Sequence, residues 1–486
     1  MSLTNQNEEG LPKAQKSPLE RDCIIFLPGI GGESMDQSIG GLARRLAAAL
    51  DLNAKDNTAV FYSKVKVVED LNTRKGDVGT LYRKDYSGDL PFLDIYKVDY
   101  RDTLIERYEN RNLLVKALLL LVALPGTLMR LLRAILTAKA SKTRIEKMQL
   151  LYALGILSLL VIYVVILFSA VWATIQGAGS LSKDVTVISD RVGTFAQETW
   201  QKIQGRESIP PKESPDQKNP IETTIEKSAS STPEEAAVNG WLRLSQLIVV
   251  LWAAISLFLP PRFNFKELIS KAAVDFLCLI YYLNLGEQRN SIIGRVELLI
   301  DEVLRKSGNE LKKDEGSPYR NIYIFAYSFG SIVALDALFP VGKKPGRAFQ
   351  SVHTLVTIGC PFDFVRTFWS DYFSESRDYT DKVPLRWLNV YSPVDVLGSN
   401  FRNDPQPGDA DINIRAEQAN SASGVPVPIN VPFTDGLSFS RLSLLNSLTL
   451  IGLRSHSTYW SNNAAPEINC FNDLVVKMYE GDAVLN

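Results

Sequence analysis

The segment that most restricts how this chain can fold is residues 321–338, NIYIFAYSFGSIVALDAL, in which a strand-like stretch runs directly into a helix-like one. The letters IYIF at positions 322–325 are typical of a buried strand, and the apolar residues after Ser328 recur with helical spacing. A change of period within so few residues predicts a sharp strand-to-helix turn at Ser328. Such a turn would hold the serine hydroxyl clear of the strand.

A serine on a strand-to-helix turn is the arrangement called a nucleophile elbow. The strained backbone accepts only small residues two positions before and two positions after the serine, and these are Ala326 and Gly330. The bare pattern A-x-S-x-G also occurs at ordinary strand ends. The strand before it and the helix after it therefore carry the interpretation of Ser328 as a nucleophile.

A serine hydroxyl needs a nearby base at neutral pH, and the chain contains only two histidines, His353 and His456. His353 lies in a buried-strand pattern, which favours a packed or hydrogen-bonded strand residue. His456 lies between an apolar run and a polar, aromatic stretch, where a strand-end loop is expected. We therefore predict that His456 is the base.

An acid that orients the imidazole is expected between the serine and the histidine in the chain. Asp395 fits this position, because it follows the strand-like residues 387–391 and a Ser-Pro turn. Capping that turn is the plainer role for Asp395. Asp363, which follows the strand-like run ending in GCPF, is the rival acid.

Backbone N–H groups usually bind the oxyanion that forms when an acyl carbonyl is attacked. The strand-like CIIFL at 23–27 is followed by PGIGG at 28–32, whose glycines let the backbone approach a substrate. One N–H is expected from Phe329, and the other from Ile30 or Gly31. Such a site requires no metal and no cofactor.

These segments resemble the lipase and esterase branch of the α/β-hydrolase superfamily over roughly residues 21–110 and 262–480. The chain order Ser328, Asp395, His456 carries the resemblance. It implies a mainly parallel α/β sheet flanked by helices, and acyl-ester hydrolysis through a covalent acyl-enzyme. Ala326 replaces the usual first glycine of the elbow, and Pro28 stands where many relatives carry histidine.

Two apolar stretches predict that the sheet is interrupted by a pair of transmembrane helices. Residues 150–175 carry no charge, and about 20 apolar residues suffice to cross a bilayer. Residues 241–259 carry only Arg243, whose long side chain can reach the interface, although a buried core helix is the alternative. Basic residues flank the pair on both outer sides, which predicts that the flanks are cytoplasmic and that the intervening loop is translocated.

Residues 113–136 are apolar but include Lys116, Arg130 and Arg133. If residues on both sides of the insertion form one sheet, the chain must cross the membrane an even number of times. An interfacial helix, with arginines toward head groups, is therefore predicted. A lid over the site and a third span stay open.

The predicted organisation divides the chain into seven parts. They are a disordered tail (1–20), a first hydrolase part (21–110), an interfacial segment (111–148), a first span (149–176), a disordered loop (177–240), a second span (241–260) and a second hydrolase part (261–486). Further helices are predicted at 38–50, 265–282, 292–304 and 470–479, further strands at 93–98 and 353–360, and a long loop at 403–435.

Composition sets limits on function. A net charge of −1 gives no reason to expect a nucleic-acid partner. The four cysteines lie far apart and form no C-x-x-C pair, which indicates reduced core residues. They are Cys23, Cys278, Cys360 and Cys470.

The expected function is that of a membrane-anchored serine esterase acting on a lipid or lipid-like acyl ester. Thioester and amide substrates stay open, as do the acyl group, the head group and the oligomeric state. A hydrolase-like membrane interaction protein without turnover is the alternative. A nucleotide site at PGIGG is disfavoured because the spacing is not G-x-G-x-x-G, and two spans do not readily enclose a transport path.

Overall fold

The structure is a computed structural model whose contacts divide the chain into two compact units. The first unit comprises Met1–Arg111, Ala123–Leu157 and Ala272–Asn486, and the second comprises Asn112–Val122 and Ser158–Lys271. The structure describes residues 21–30, 39–54, 60–71, 74–85, 88–98, 100, 102–106, 108, 111, 115–116, 119, 126, 129–130, 265–284, 286–310, 319–342, 344–373, 385–393, 395, 397–402, 408–411, 425–433, 456, 458–460 and 470–480.

An eight-stranded, mostly parallel sheet organises the first unit. Its strands are β1 (Arg21–Leu27), β2 (Val60–Leu71), β3 (Arg74–Asp85), β4 (Gly88–Lys97), β5 (Tyr319–Tyr327), β6 (Val352–Ile358), β7 (Arg386–Tyr391) and β8 (Ile429–Pro432). The order across the sheet is β2-β3-β4-β1-β5-β6-β7-β8. Only the pairs β2/β3 and β3/β4 are antiparallel. The fold is therefore of the α/β class.

Six α-helices have their bounds within the described residues and accompany the strands. They are α1 (Ile39–Asn53), α2 (Phe265–Asn284), α3 (Gly286–Glu310), α4 (Phe329–Leu338), α5 (Phe362–Phe368) and α6 (Cys470–Met478). The helices predicted at 38–50, 265–282, 292–304 and 470–479 are confirmed, as are the predicted strands of the sheet. Most of their bounds differ from the prediction by a few residues, and those of β4, α3 and β5 differ by more. Helix ends and strand ends depend on tertiary contacts that a local pattern does not contain.

The two edges of the sheet contain strands that the sequence did not predict. The antiparallel hairpin β2–β3 was not predicted, and β8 lies inside residues 403–435, which were wrongly predicted to be loop throughout. Both β2 and β8 are edge strands. Edge strands in natural proteins are commonly short or rich in charge, so they lack the apolar run by which a buried strand is recognised.

The central strands form the core of the first unit. Ile24, Phe26 and Phe325 are fully buried, because parallel strands are covered on both faces. Helices α1 and α6 pack together against one face, in the same apolar cluster as these residues. Helix α4 packs on β5, β1 and β6, and α3 packs on α4. This arrangement fixes α4, which directly follows Ser328.

All four cysteines lie in the described residues and none is in a disulfide. Each is buried. Burial raises the pKa of the Cys23, Cys360 and Cys470 thiols, so these thiols stay protonated at neutral pH. Protonated, enclosed thiols behave as small apolar core residues.

The predicted spans, residues 150–175 and 241–259, lie outside the described residues, as do the tail 1–20 and the loop 177–240. Among the helices that the structure does describe, none is both long enough and apolar enough to cross a bilayer. The membrane anchor stays a prediction from the sequence.

Parts of the segment 113–136 are described, and they are helical. The Arg130 guanidinium lies 5.5 Å from the centre of the Trp369 ring and donates to Asn284 Oδ1 at 2.9 Å. An arginine over an indole face gains a cation–π contact. Arg130 therefore contacts protein groups, whereas the sequence analysis expected it to face lipid head groups.

Candidate active site

Ser328 occupies the turn between β5, which ends at Tyr327, and α4, which begins at Phe329. Its backbone has φ 53° and ψ −125°, a conformation that a residue with a side chain rarely adopts. Two hydrogen bonds hold it there: Ser328 N donates to Ile358 O at 2.8 Å, and Ser331 N donates to Ser328 O at 2.9 Å. Strained residues of this kind cluster at functional sites.

Gly330 is required by the close approach of another strand. A Cβ at this position would lie 2.4 Å from Leu27 O and 2.6 Å from Pro28 O. Both atoms are backbone, so neither can move aside without displacing the end of β1. Ala326 is fully buried in β5, and its carbonyl accepts a hydrogen bond from Ser331 Oγ at 2.9 Å. Ala326 and Gly330 therefore occupy different surroundings, and only Gly330 is excluded from carrying a Cβ by backbone atoms of another strand.

The structure brings Ser328, His456 and Asp395 into one hydrogen-bonded series. His456 Nε2 lies 2.7 Å from Ser328 Oγ, and His456 Nδ1 lies 2.8 Å from Asp395 Oδ2. Because a carboxylate oxygen can only accept, Nδ1 carries the proton and Nε2 is left to accept from the serine hydroxyl. Asp395 is 2% exposed and His456 is 9% exposed.

The Asp395 carboxylate is held by three donors. Leu397 N donates to Oδ1 at 2.9 Å, while His456 Nδ1 and the Tyr459 hydroxyl, at 2.9 Å, both donate to Oδ2. A buried carboxylate keeps its charge at low cost only when it is bonded in this way. The site therefore contains a carboxyl group in a fixed orientation beside the imidazole.

Asp363, the rival acid, has other partners. Ser399 Oγ donates to its Oδ2 at 2.5 Å, and Arg366 Nη2 lies 3.2 Å from its Oδ1. His456 instead bonds Asp395. Of the two candidate acids, Asp395 is thus the one placed to orient the histidine.

His353, the other histidine, lies on β6 and is exposed. Its Nδ1 lies 2.8 Å from Thr354 Oγ1. Partial burial, and then the positive charge of Arg386, lower the pKa of His353. His353 is thus a hydrogen-bonded strand residue, and it is exposed although its strand pattern favoured a buried position.

Tyr327 fixes the orientation of the His456 ring. The two rings are stacked, with centres 5.3 Å apart and planes 22° from parallel, and the Tyr327 hydroxyl donates to His456 O at 2.7 Å. Burial, and then the Asp395 charge, raise the pKa of Tyr327. The phenol therefore keeps its proton and remains a donor at physiological pH.

Two elements adjoin Ser328 where an oxyanion would lie. Phe329 is the first residue of α4, so its N–H has no acceptor within the helix. The turn after β1 passes beside the serine, because a Cβ on Gly29 would lie 3.1 Å from Ser328 Cβ. The Tyr100 hydroxyl donates to Pro28 O and holds this turn. Ile30 is buried in the turn, and Gly31 lies outside the described residues.

Sequence reasoning missed the orienting role of Tyr327 and three further residues of the site: Tyr459, Gly359 and Gly398. Tyr459 is three positions after His456, Gly359 directly follows β6 and has φ 58°, and Gly398 is three positions after Asp395. A glycine near the end of the predicted strand 353–360 was a usable signal, since such positions often need a left-handed backbone. Nothing in the local sequence distinguishes Tyr459 or Gly398.

Within the described ranges, no three side chains of histidine, cysteine, aspartate or glutamate lie close enough together to hold a metal ion. The polar groups around Ser328 form a hydrogen-bonded series instead. Proton transfer is the chemistry for which that series is suited.

Comparison with known proteins gives no match for this chain. Protein-family models, curated proteins and solved structures were compared, and none matches. The geometry around Ser328 is therefore the basis on which a function can be assigned.

Proposed function

We propose that this protein is a serine hydrolase of the α/β-hydrolase type that cleaves acyl esters through an acyl-enzyme on Ser328. One observation carries the proposal: Asp395, His456 and Ser328 are joined by hydrogen bonds of 2.8 and 2.7 Å, with the serine in a strained turn. Packing alone does not require a histidine to bridge a buried carboxylate and such a serine.

The first half of the reaction forms the acyl-enzyme. His456 Nε2 takes the Ser328 proton while Oγ attacks the acyl carbonyl carbon, and Asp395 stabilises the imidazolium. The N–H groups of Phe329 and of Ile30 or Gly31 stabilise the oxyanion. The tetrahedral intermediate then collapses, the bond to the alcohol oxygen breaks, and Nε2 returns the proton to the departing alcohol.

The second half releases the acid. A water molecule gives a proton to His456 Nε2 and its oxygen attacks the acyl carbon. Collapse breaks the bond to Ser328 Oγ, which recovers the proton from the imidazolium. The sum of the two halves is ester plus water giving alcohol plus acid, with Ser328 and His456 regenerated.

The substrate class is proposed from the sequence outside the described residues. A chain anchored by residues 150–175 and 241–259 would keep its hydrolase part at the cytoplasmic face of a membrane. Esters in or near the bilayer would then reach Ser328 at the highest local concentration. We therefore propose a lipid or lipid-like ester as the substrate.

A fluorophosphonate probe tests the proposed nucleophile, because it labels a serine only where that serine is activated. The full-length protein and Ser328→Ala would be labelled beside Ser351→Ala, a control at an exposed serine. We expect equal labelling of the natural protein and Ser351→Ala, and none of Ser328→Ala. Failure to label the natural protein, with folding verified by circular dichroism, would favour the interaction protein without turnover.

Turnover is tested on lipid vesicles that contain the full-length protein. We expect Ser328→Ala to release fatty acid at least about 10⁴-fold more slowly than the natural protein. Release by Ser351→Ala should match that of the natural protein. Equal release by all three proteins would contradict the proposed enzyme.

A further inference from the structure

Tyr459 holds the oxygen of Asp395 that also bonds the histidine. Asp395 Oδ2 accepts from His456 Nδ1 at 2.8 Å and from Tyr459 Oη at 2.9 Å. Ser392 N lies 2.7 Å from the same Tyr459 oxygen. Because a backbone N–H can only donate, the phenol oxygen accepts from Ser392 and its own proton points to Asp395. The direction of the Tyr459 hydrogen bond is therefore fixed by its surroundings.

The Tyr459 hydroxyl remains a hydrogen-bond donor at physiological pH. Burial, and then the charge of Asp395, raise the pKa of Tyr459. The hydroxyl therefore keeps its proton across the pH range in which the imidazole of a histidine titrates. The number of donors to Asp395 does not change while His456 gains or loses a proton.

Two glycines permit this contact. A Cβ on Gly398 would lie 2.5 Å from Asp395 Oδ2 and 3.0 Å from Tyr459 Oη. A Cβ on Gly359 would lie 2.9 Å from Tyr459 Cε2 and 3.0 Å from His456 Cε1. Larger residues at either position would separate the aspartate, the tyrosine and the histidine. The backbone is thus built around all three groups.

One segment supplies both the histidine and the tyrosine. His456 and Tyr459 are three positions apart, and their rings meet edge to face at 90°, with centres 6.2 Å apart. Residues three apart in a helical turn share a face. The Tyr459 hydroxyl and the His456 imidazole therefore approach Asp395 together.

From these contacts we propose that Tyr459 is a positioning residue of the Ser328 site, which orients the Asp395 carboxylate for His456 and draws charge from it. This role rests on the proposed function. With the donor removed, the carboxylate is a stronger acceptor for Nδ1–H and is free to rotate about its own bond. The imidazolium is then favoured to higher pH, and the productive orientation is populated less.

The test compares Tyr459→Phe with Tyr479→Phe in the full-length protein. Tyr479 is the matched control, because its buried hydroxyl donates to a different buried carboxylate, Asp22 Oδ2, at 3.0 Å. For Tyr459→Phe we expect kcat to fall about 10-fold with KM within about 2-fold, since only orientation and charge in the transition state change. The acid limb of kcat/KM should move to higher pH by about 0.5 unit. Tyr479→Phe should leave kcat and the acid limb unchanged.

A second measurement does not need turnover. With ¹³C-labelled histidine, the two histidines of the chain give two sets of NMR signals, and His353→Gln assigns them. We expect the titration midpoint of the His456 signal to move to higher pH in Tyr459→Phe, and that of His353 to stay in place. An unmoved His456 midpoint, or an equal movement in Tyr479→Phe, would overturn the positioning role even if Ser328 is the nucleophile. A moved midpoint in a protein that the fluorophosphonate does not label would support the Tyr459 contact and reject the proposed function.

Discussion

The two ends of the sheet each enclose a buried aspartate that is bonded to a tyrosine near the carboxyl end of the chain. At the amino end of β1, Asp22 accepts from Tyr479 Oη at 3.0 Å and from Arg320 Nε and Nη2 at 3.1 and 2.9 Å. At the carboxyl end of the strands, Asp395 accepts from Tyr459 and His456. The two aspartates share one partner type and differ in the other.

That difference decides what each aspartate can do. Arg320 stays charged at any physiological pH, so its pair with Asp22 is a fixed ion pair. His456 can gain and lose a proton, and it faces Ser328 in a strained turn, so Asp395 is coupled to a group that can react. A buried aspartate and its tyrosine are therefore insufficient evidence of a reactive site. The proposal of a reactive site rests instead on the partner other than tyrosine, His456, and on the strained backbone at Ser328.

The largest expected effect comes from neutralising each aspartate in turn. Asp395→Asn should lower kcat about 10⁴-fold, because the amide favours the wrong imidazole tautomer. Asp22→Asn should lower the free energy of unfolding by about 3 kcal/mol, since it removes a buried carboxylate that is paired with the Arg320 guanidinium. Ester turnover and urea denaturation measured on both variants give the comparison. Similar turnover by the two folded variants would remove the distinction drawn between the two ends.

The next effect concerns the backbone at the carboxyl end. Gly330→Ala should lower the free energy of unfolding by about 3 kcal/mol, because its Cβ would meet two backbone carbonyls of the β1 end. Gly342→Ala is the matched control: it has φ 64° and open space for a Cβ, and should cost about 1 kcal/mol. Urea denaturation of both variants measures this. Equal costs would mean that the contact with β1 does not constrain the turn at Ser328.

Alkaline pH should affect both ends alike. Burial, and then the charge of the bonded aspartate, raise the pKa of Tyr459 and of Tyr479 in the folded state. Above the ordinary tyrosine pKa of about 10, the unfolded chain loses protons that the folded protein keeps, so stability falls as pH rises. Each Tyr→Phe variant should lose less stability than the natural protein, and the difference should be about 1.4 kcal/mol for each pH unit above that value. The free energy of unfolding measured between pH 9.5 and 11 tests this. If its dependence on pH is the same in a variant as in the natural protein, full burial of that phenol is contradicted.

The smallest effect belongs to His353. The pKa of His353 is lowered in the folded state. Below the unfolded value of about 6.5, the unfolded chain therefore binds a proton that the folded protein does not, and stability decreases as the pH falls. His353→Asn should remove this small acid-side loss and leave ester turnover unchanged. Unfolding at pH 5 and pH 7.5, with turnover at pH 7.5, checks both expectations. A loss of turnover would mean that His353, and not His456 alone, takes part in proton transfer.

The elbow could be predicted because its signal is local. A strand period that changes to a helix period at Ser328, with small residues at 326 and 330, is visible in one short segment. Ser328, Asp395 and His456 could also be selected as candidates in this chain order, because the chain has only two histidines. Their catalytic roles stay predictions, as do the two membrane spans.

Other features left little local trace. Strand β8 is short and lies at an edge of the sheet, so no apolar run marks it within residues 403–435. Tyr459 and Tyr479 are ordinary aromatic residues in the sequence, yet their hydroxyls reach Asp395 and Asp22 from distant positions in the chain. Neither pairing could be chosen over other tyrosines from spacing.

The order of residues along the chain was enough to give the α/β class, the strained serine and the candidate base, because periodicity and residue type act over a few positions. The sequence favoured Asp395 and left Asp363 as its rival. Setting that rival aside, the bond from Tyr459 and the contrast between the two ends required the folded arrangement. Those contacts join residues that are far apart in the chain. They depend on strand register and on how closely the backbones pack, which no short segment specifies.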